Sequence, residues 1–171
     1  MQKIAKFEKV SYEQFEKDML KSFANDKETI KDIYDNIQLP KRSTVGAAGY
    51  DFFIPAKLTL AFKSWVVIPT GIRCEMKEGW VLQIYPRSGH GFKYGVHLTN
   101  TVGIIDADYY NADNEGHIMV KLINDSEMSY KPVSFNQDDA FCQGIFLPFG
   151  ITEDDEVDDI RTGGFGSTDK K

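Results

Sequence analysis

Asp106 and Asp108 flank Ala107 in the run NTVGIIDADYY, residues 100–110. On a strand or in a tight hairpin, two carboxylates at this spacing lie on one face. Held close together they raise one of the two pKa values, and such a pair can supply a general base or hold a metal. The same spacing also suits two turn-forming acids at a hairpin tip. A second candidate is PRSGHGFKYG, residues 86–95, where Gly89 and Gly91 let the backbone approach an anion. Ser88 adds a hydroxyl, and Arg87 and Lys93 add positive charge. Taken alone, an ordinary turn is the simpler reading of that loop.

Asp51, in AGYDFF, stands between small residues and an aromatic run. A carboxylate that opens a buried strand is costly unless it is paired or functional, and an Asx turn is an equal reading. His90, His97 and His117 have no metal-ligand spacing and read as surface or packing histidines, which disfavours a zinc deaminase. Near the C-terminus, Arg161 and Phe165 lie among glycines and hydroxyls in RTGGFGSTDKK, the parts of a phosphate grip and a base-stacking lid.

These residues need elements to position them. Residues 1–39 read as a helical N-terminal extension. Ser11 with Gln14 forms a capping box ahead of Phe15, Met19 and Phe23, and Ile30, Ile33, Tyr34 and Ile37 make a second stripe ending at Leu39-Pro40. An amphipathic pair packed on the body is the plainer expectation, and a face for a protein partner the other. Residues 40–150 read as strands: YDFFI, KLTLAF, WVVI, GIRCEM, WVLQIY, GVHLTN, HIMVKL and FCQGIFLPF are short, β-branched or aromatic, and separated by turn residues. In GIRCEM, Ile72, Cys74 and Met76 alternate with Arg73 and Glu75, as a half-buried strand requires. Many short strands with no long helix between them imply an all-β sandwich, jelly roll or barrel. Residues 151–171 form an acidic linker, ITEDDEVDDI, and then the glycine-rich arm, both expected to be extended and flexible.

The chain has 171 residues, 42% hydrophobic and 27% charged, which predicts one folded domain rather than disorder. Its net charge of -6 and pI of about 5.1 leave no surplus of Lys and Arg for a long polyanion, so nucleic acid is disfavoured. A small phosphorylated ligand remains open, because a few arginines and backbone N–H groups suffice. No apolar run reaches the roughly 18–20 residues of a membrane span, and the opening residues contain no hydrophobic segment. Cys74 and Cys142 fit neither a metal pattern nor a disulfide scaffold, so the expected setting is the reducing cytoplasm, with no membrane contact.

In order along the chain, these segments resemble the five motifs of the homotrimeric deoxyuridine triphosphatase (dUTPase) family. AGYDF at 48–52 is similar to the first, PRSGHGFKYG to the second and NTVGIIDADYY to the third. FCQGIF at 141–146 is similar to the fourth and RTGGFGST at 161–168 to the fifth. The resemblance spans roughly residues 40–168 and leaves the N-terminal segment outside.

The resemblance implies a jelly-roll-like β domain, a homotrimer with active sites shared between subunits, and hydrolysis of dUTP to dUMP and pyrophosphate with Mg²⁺ on the triphosphate. It implies Asp106 as the general base for water attack at the α-phosphorus, and Tyr109 packed on the deoxyribose to exclude a 2′-hydroxyl. Asn100 and the hairpin from Gly103 through Ile105 to Met119 would read uracil. Arg87, Ser88, Gly89 and Gln143 would hold the phosphates. Asp51 would act on the metal indirectly, through a water of its shell, or on a neighbouring arginine. Arg161, Phe165, Gly166, Ser167 and Thr168 would close over the nucleotide from a third subunit, with Phe165 stacked on the base.

The chain departs from the family pattern in three places. YNADNE separates Tyr109 from Gly116 where the family has one residue, a lengthening expected to bear on base contacts more than on water activation. DDAFCQ replaces the usual Gly-Asp-Arg before Gln143, and His90 stands where an apolar residue is commoner. Two alternatives remain at this point. A dCTP deaminase of related fold would need a glutamate on the strand that here reads GHIMVKL, and a non-catalytic nucleotide sensor would use the N-terminal helices on a partner.

Overall fold

The computed structural model describes residues 2–23, 26–125, 130–159 and 163. Among them the chain is mostly β, in the jelly-roll-like manner expected, with two helices near the N-terminus and one short helix in the second motif.

The central sheet has the order β2-β11-β6-β8, built from Tyr50–Phe53 (β2), Ala140–Pro148 (β11), Trp80–Pro86 (β6) and Gly103–Ile105 (β8). A second sheet runs β4-β9-β7, from Ser64–Pro69 (β4), Met119–Asn124 (β9) and His97–Leu98 (β7). Leu58–Leu60 (β3) pairs with Val133–Phe135 (β10), and Ala5–Lys9 (β1) pairs with Ile72–Met76 (β5). Phe52, Ile54, Leu82, Ile84, Leu122 and Phe141 are among the side chains that fill the core between the sheets. The alternation read in GIRCEM holds, with Ile72, Cys74 and Met76 facing in.

The N-terminal segment departs from an all-helical expectation at its start. Ala5–Lys9 is a strand, because its backbone completes an antiparallel ladder with β5, from Ala5 opposite Met76 to Lys9 opposite Ile72. Phe7 joins an aromatic group with Tyr50, Phe52 and Phe146. The ladder partner lies far along the sequence, so local periodicity carries little of this information.

Helices Tyr12–Ser22 (α1) and Lys27–Asp35 (α2) follow. Ser11 caps α1 through Gln14 N–H and Asp26 caps α2 through Thr29 N–H, each satisfying a donor that the first turn leaves open. Phe15, Met19, Ile30 and Ile33 turn inward onto Val10 and Ala56, so the apolar stripes of both helices are covered within the chain. Lys9 Nζ donates to the carbonyls of Tyr34 and Asp35 at the end of α2, where a cation is favoured.

Candidate active site

The residues of the first, second and fourth motifs meet on the central sheet. Asp51 lies opposite Gln143 in the β2–β11 ladder, and Gln143 lies opposite Tyr85 in the β11–β6 ladder. Arg87, just beyond β6, brings its Nε to 3.2 Å from Asp51 Oδ1. Its Nη1 reaches the carbonyl of Ala140 at 3.5 Å, and Gln143 Nε2 donates to the carbonyl of Pro86 at 3.4 Å. The register of β11 shifts between Ala140 and Cys142, a bulge that re-aims the strand beside Arg87. Ala140, which stands where the family pattern has an arginine, accepts this Arg87 contact through its backbone carbonyl. Gly49 sits against this group: a Cβ there would lie 2.5 Å from Gln143 Oε1.

PRSGHGFKYG is a short helix rather than an open loop. Ser88–Tyr94 (α3) closes at Gly95, whose N–H returns to the Gly91 carbonyl. Ser88 and Gly89 are exposed in its first turn. His90 packs its ring 4.9 Å from Phe135, and burial, with Arg87 nearby, lowers its pKa. It therefore fills the position as a neutral, largely apolar ring, which accounts for a histidine where apolar residues are commoner.

The third motif begins at the turn before β8. Val102 N–H donates to the Asn100 carbonyl at 2.7 Å, and Thr101 adopts φ 66° between them. Gly103 lies opposite Ile84, and a Cβ on it would approach Ile84 Cβ at 3.2 Å and Asn100 Nδ2 at 3.9 Å. Ile105, opposite Leu82, is buried, and Asp106 is exposed where the strand passes into a 3₁₀ turn, Ala107–Asn111. That turn removes the strand alternation expected for Asp106 and Asp108, because successive side chains step by a third of a turn there. Tyr109 is almost wholly buried, donating its hydroxyl to the His117 carbonyl at 2.8 Å and accepting from Asn114 Nδ2 at 2.7 Å. Met119 opens β9, opposite Pro69.

Two clusters result, and the sheet holds them apart. Ile105 pairs with Leu82 at one end of β6, whereas Arg87 follows the other end. Five residues of strand at about 3.3 Å each separate them by ~17 Å. One chain therefore brings Asp51, Arg87 and Gln143 together, but not Arg87 to Asp106. Arg161, Phe165, Gly166, Ser167 and Thr168 lie outside the described residues.

Asn114, Glu115 and His117 are drawn in beside Tyr109 although none was singled out from the sequence as a site residue. Their signal was the extra length of the hairpin itself. Among the described residues, no group of three carboxylate, imidazole or thiolate side chains converges as a metal site. Asp51 already has a guanidinium partner, which suits a carboxylate that reaches a metal through water better than one that ligates it.

Comparison with known proteins identifies the family. The dUTPase family model matches residues 35–169. A deoxyuridine 5′-triphosphate nucleotidohydrolase of Lactococcus lactis is 42% identical over 135 residues, 77% of this chain and 88% of that protein. The crystal structure of dUTPase from Streptococcus mutans superposes with a TM-score of 0.61 at 39% identity, covering 67% of this chain and 88% of that one. A dUTPase from phage phi11 of S. aureus has a TM-score of 0.61 at 23% identity, covering 74% of this chain and 92% of its own, a likeness of fold. With the family model spanning most of its length and relatives matched along nearly all of theirs, this chain belongs to the dUTPase family.

Proposed function

We propose that this chain carries out its family's reaction, hydrolysis of dUTP to dUMP and pyrophosphate, with Asp106 as the general base and active sites completed between subunits. The observation that carries the shared site is the separation of Asp106 from the Asp51–Arg87–Gln143 cluster along β6. A triphosphate cannot be held by one cluster and attacked beside the other within a single chain over ~17 Å of strand. A second copy supplying the missing half resolves the gap. Trp65, Phe92, Ile104 and Phe149, large apolar side chains exposed on the single chain, are consistent with burial in a homotrimer.

In this reading Asp106 accepts a proton from the water that attacks the α-phosphorus. Arg87 and Gln143, with the Ser88 hydroxyl and the Gly89 backbone, bind the phosphate chain and offset charge that develops on the leaving pyrophosphate. Mg²⁺, carried on the triphosphate, would supply further charge neutralisation, with Asp51 hydrogen-bonding to a water of its shell. Asn100 and the backbone from Gly103 through Ile105 to Met119 read the uracil edge, and the Tyr109 ring leaves no room for a 2′-hydroxyl. Arg161, Phe165, Gly166, Ser167 and Thr168 close over the nucleotide and exclude water. The place of action is the cytoplasm, where the nucleotide pool lies; no helix among the described residues is long and apolar enough to cross a membrane.

The test is pyrophosphate release by purified protein with Mg²⁺ from dUTP, UTP, dTTP and dCTP, together with its mass in solution. Turnover confined to dUTP by a trimer is expected. Ammonia release from dCTP, or dUTP binding without turnover, would overturn the assignment in favour of a deaminase or a sensor.

A further inference from the structure

The residues that lengthen the hairpin after Tyr109 are held from outside the motif, by the N-terminal segment. Tyr110 Oη donates to Glu8 Oε2 at 2.6 Å. Glu115 accepts from both Ser11 N–H, at 2.7 Å, and Ser11 Oγ, at 2.6 Å. His117 is fully buried, with Nδ1 2.8 Å from Asp18 Oδ2 and Nε2 accepting from Gly71 N–H at 2.8 Å. Because Nε2 accepts, the ring proton sits on Nδ1 and is donated to Asp18. Gln14 and Lys21 donate to the same Asp18 carboxylate from α1. Arg73 stacks 3.5 Å over the Tyr110 ring, with Nη1 3.9 Å from Glu115.

The clamped residues are the ones that orient Tyr109. Its hydroxyl is fixed by the His117 carbonyl and by Asn114, and Asn114 and His117 flank the Ser11-bound Glu115. We propose that Glu8–Asp18 is a positioning clamp for the sugar-selecting tyrosine: it immobilises the lengthened hairpin and so sets how strictly the site rejects ribose. The proposal rests on the reading of Tyr109 as the residue against the deoxyribose. A ring that must exclude a single oxygen tolerates little play, since misplacement by about 1 Å can cost on the order of 100-fold in rate. The six residues Tyr110–Glu115 would not hold it that closely by themselves, whereas the outside anchors on Tyr110, Glu115 and His117 do.

Four full-length variants test this. Glu115→Asn keeps a side chain that tolerates the left-handed backbone of this position, φ 59°, but is one carbon too short to reach Ser11 in the same way. Tyr110→Phe removes only the hydroxyl that reaches Glu8, and so serves even where Glu115→Asn does not fold. Glu115→Gln keeps the length and can still bond Ser11. In Glu115→Asn and Tyr110→Phe, KM for dUTP should rise about ten-fold with kcat within about two-fold, and the dUTP:UTP ratio of kcat/KM should fall about ten-fold. Glu115→Gln should restore most of that ratio. A parallel loss of kcat on both substrates with the ratio unchanged, or no change at all, would overturn the clamp. Tyr109→Leu separates the two ideas. A ratio unchanged in Tyr109→Leu removes the sugar-gate reading and the clamp with it, whereas a ratio relaxed there but kept in the clamp variants removes the clamp alone.

Discussion

Gly116 returns the hairpin so tightly onto Tyr109 that a Cβ at residue 116 would lie 2.6 Å from the Tyr109 carbonyl oxygen and 2.8 Å from Tyr110 Cα. The backbone there is also left-handed, with φ 68°. Both obstacles are backbone, so neither can swing aside. Gly116→Ala should therefore cost about 1–3 kcal/mol through the strained conformation and forced displacement. Urea unfolding reads the loss, and the KM for dUTP should rise with it because the displaced atom belongs to Tyr109. An unchanged midpoint would mean that the hairpin closes by another path.

Gly49 makes a contrasting contact. The atom a Cβ would meet, Gln143 Oε1 at 2.5 Å, is the far end of a flexible side chain. Gly49→Ala should push Gln143 away from its Pro86 contact while leaving the sheet intact. The expected result is a several-fold higher KM with a nearly unchanged Tm, the signature of lost ground-state binding. A large drop in Tm with unchanged KM would show that Gln143 does not touch the nucleotide.

The contrast between these two glycines parallels what could be read in the sequence. AGYDF, PRSGHGFKYG and FCQGIF marked residues that do converge, and the alternation in GIRCEM and the N-cap at Ser11 are local signals that the structure keeps, whereas the Gln14 half of the capping box is lost, its side chain turning to Asp18 and Ser11 N–H to Glu115. Ala5–Lys9 was not legible as a strand, nor Val133–Phe135, because each is only a few residues long and owes its state to a partner strand distant in sequence. Ser88–Tyr94 was hidden by its two glycines, which weaken helix propensity but are tolerated where Gly95 ends the helix. His117 was read as a packing or surface histidine. It does pack, yet its bond to Asp18 bridges 99 positions in sequence, and no local pattern encodes that.

Both cysteines are buried and free. Burial pushes the Cys74 thiol up to about 12 and raises that of Cys142 well above its ordinary value. Since the thiolate is the reactive form, neither should react with a disulfide reagent at pH 8 in the native protein, and both should react in denaturant. Fast native-state modification would mean that the sheet carrying Cys142 opens on the assay timescale.

Acid should loosen the N-terminal clamp. Burial pushes the pKa of Asp18 upward, but hydrogen bonds from His117, Gln14 and Lys21 outweigh it and hold this carboxylate well below its usual range. Glu115 is likewise lowered, against burial, by its two Ser11 bonds and by Arg73. Each therefore binds a proton more readily unfolded than folded, so its stabilisation is complete above the unfolded value of about 4 and is lost as pH falls through the lower folded value. Tm measured from pH 6 to pH 3 should fall more steeply for the native protein than for an Asp18→Asn, Glu115→Gln double variant. Parallel curves would show that other carboxylates govern acid unfolding.

Asp106 is exposed at the exit of β8, and in the proposed function it meets there a water and a phosphate held by another copy. An asparagine there has nearly the same shape but cannot accept the proton of an attacking water. Asp106→Asn should bind a non-hydrolysable dUTP analogue within a few-fold of the native protein while losing about 100- to 10,000-fold in kcat. Calorimetric titration and pyrophosphate release separate the two effects. Removing a charge next to a polyanion also eases binding, so a modest gain in affinity would agree with the same role. A kcat within ten-fold of native would remove Asp106 as the base. Asp108, two residues on and also exposed, would then be the carboxylate to replace.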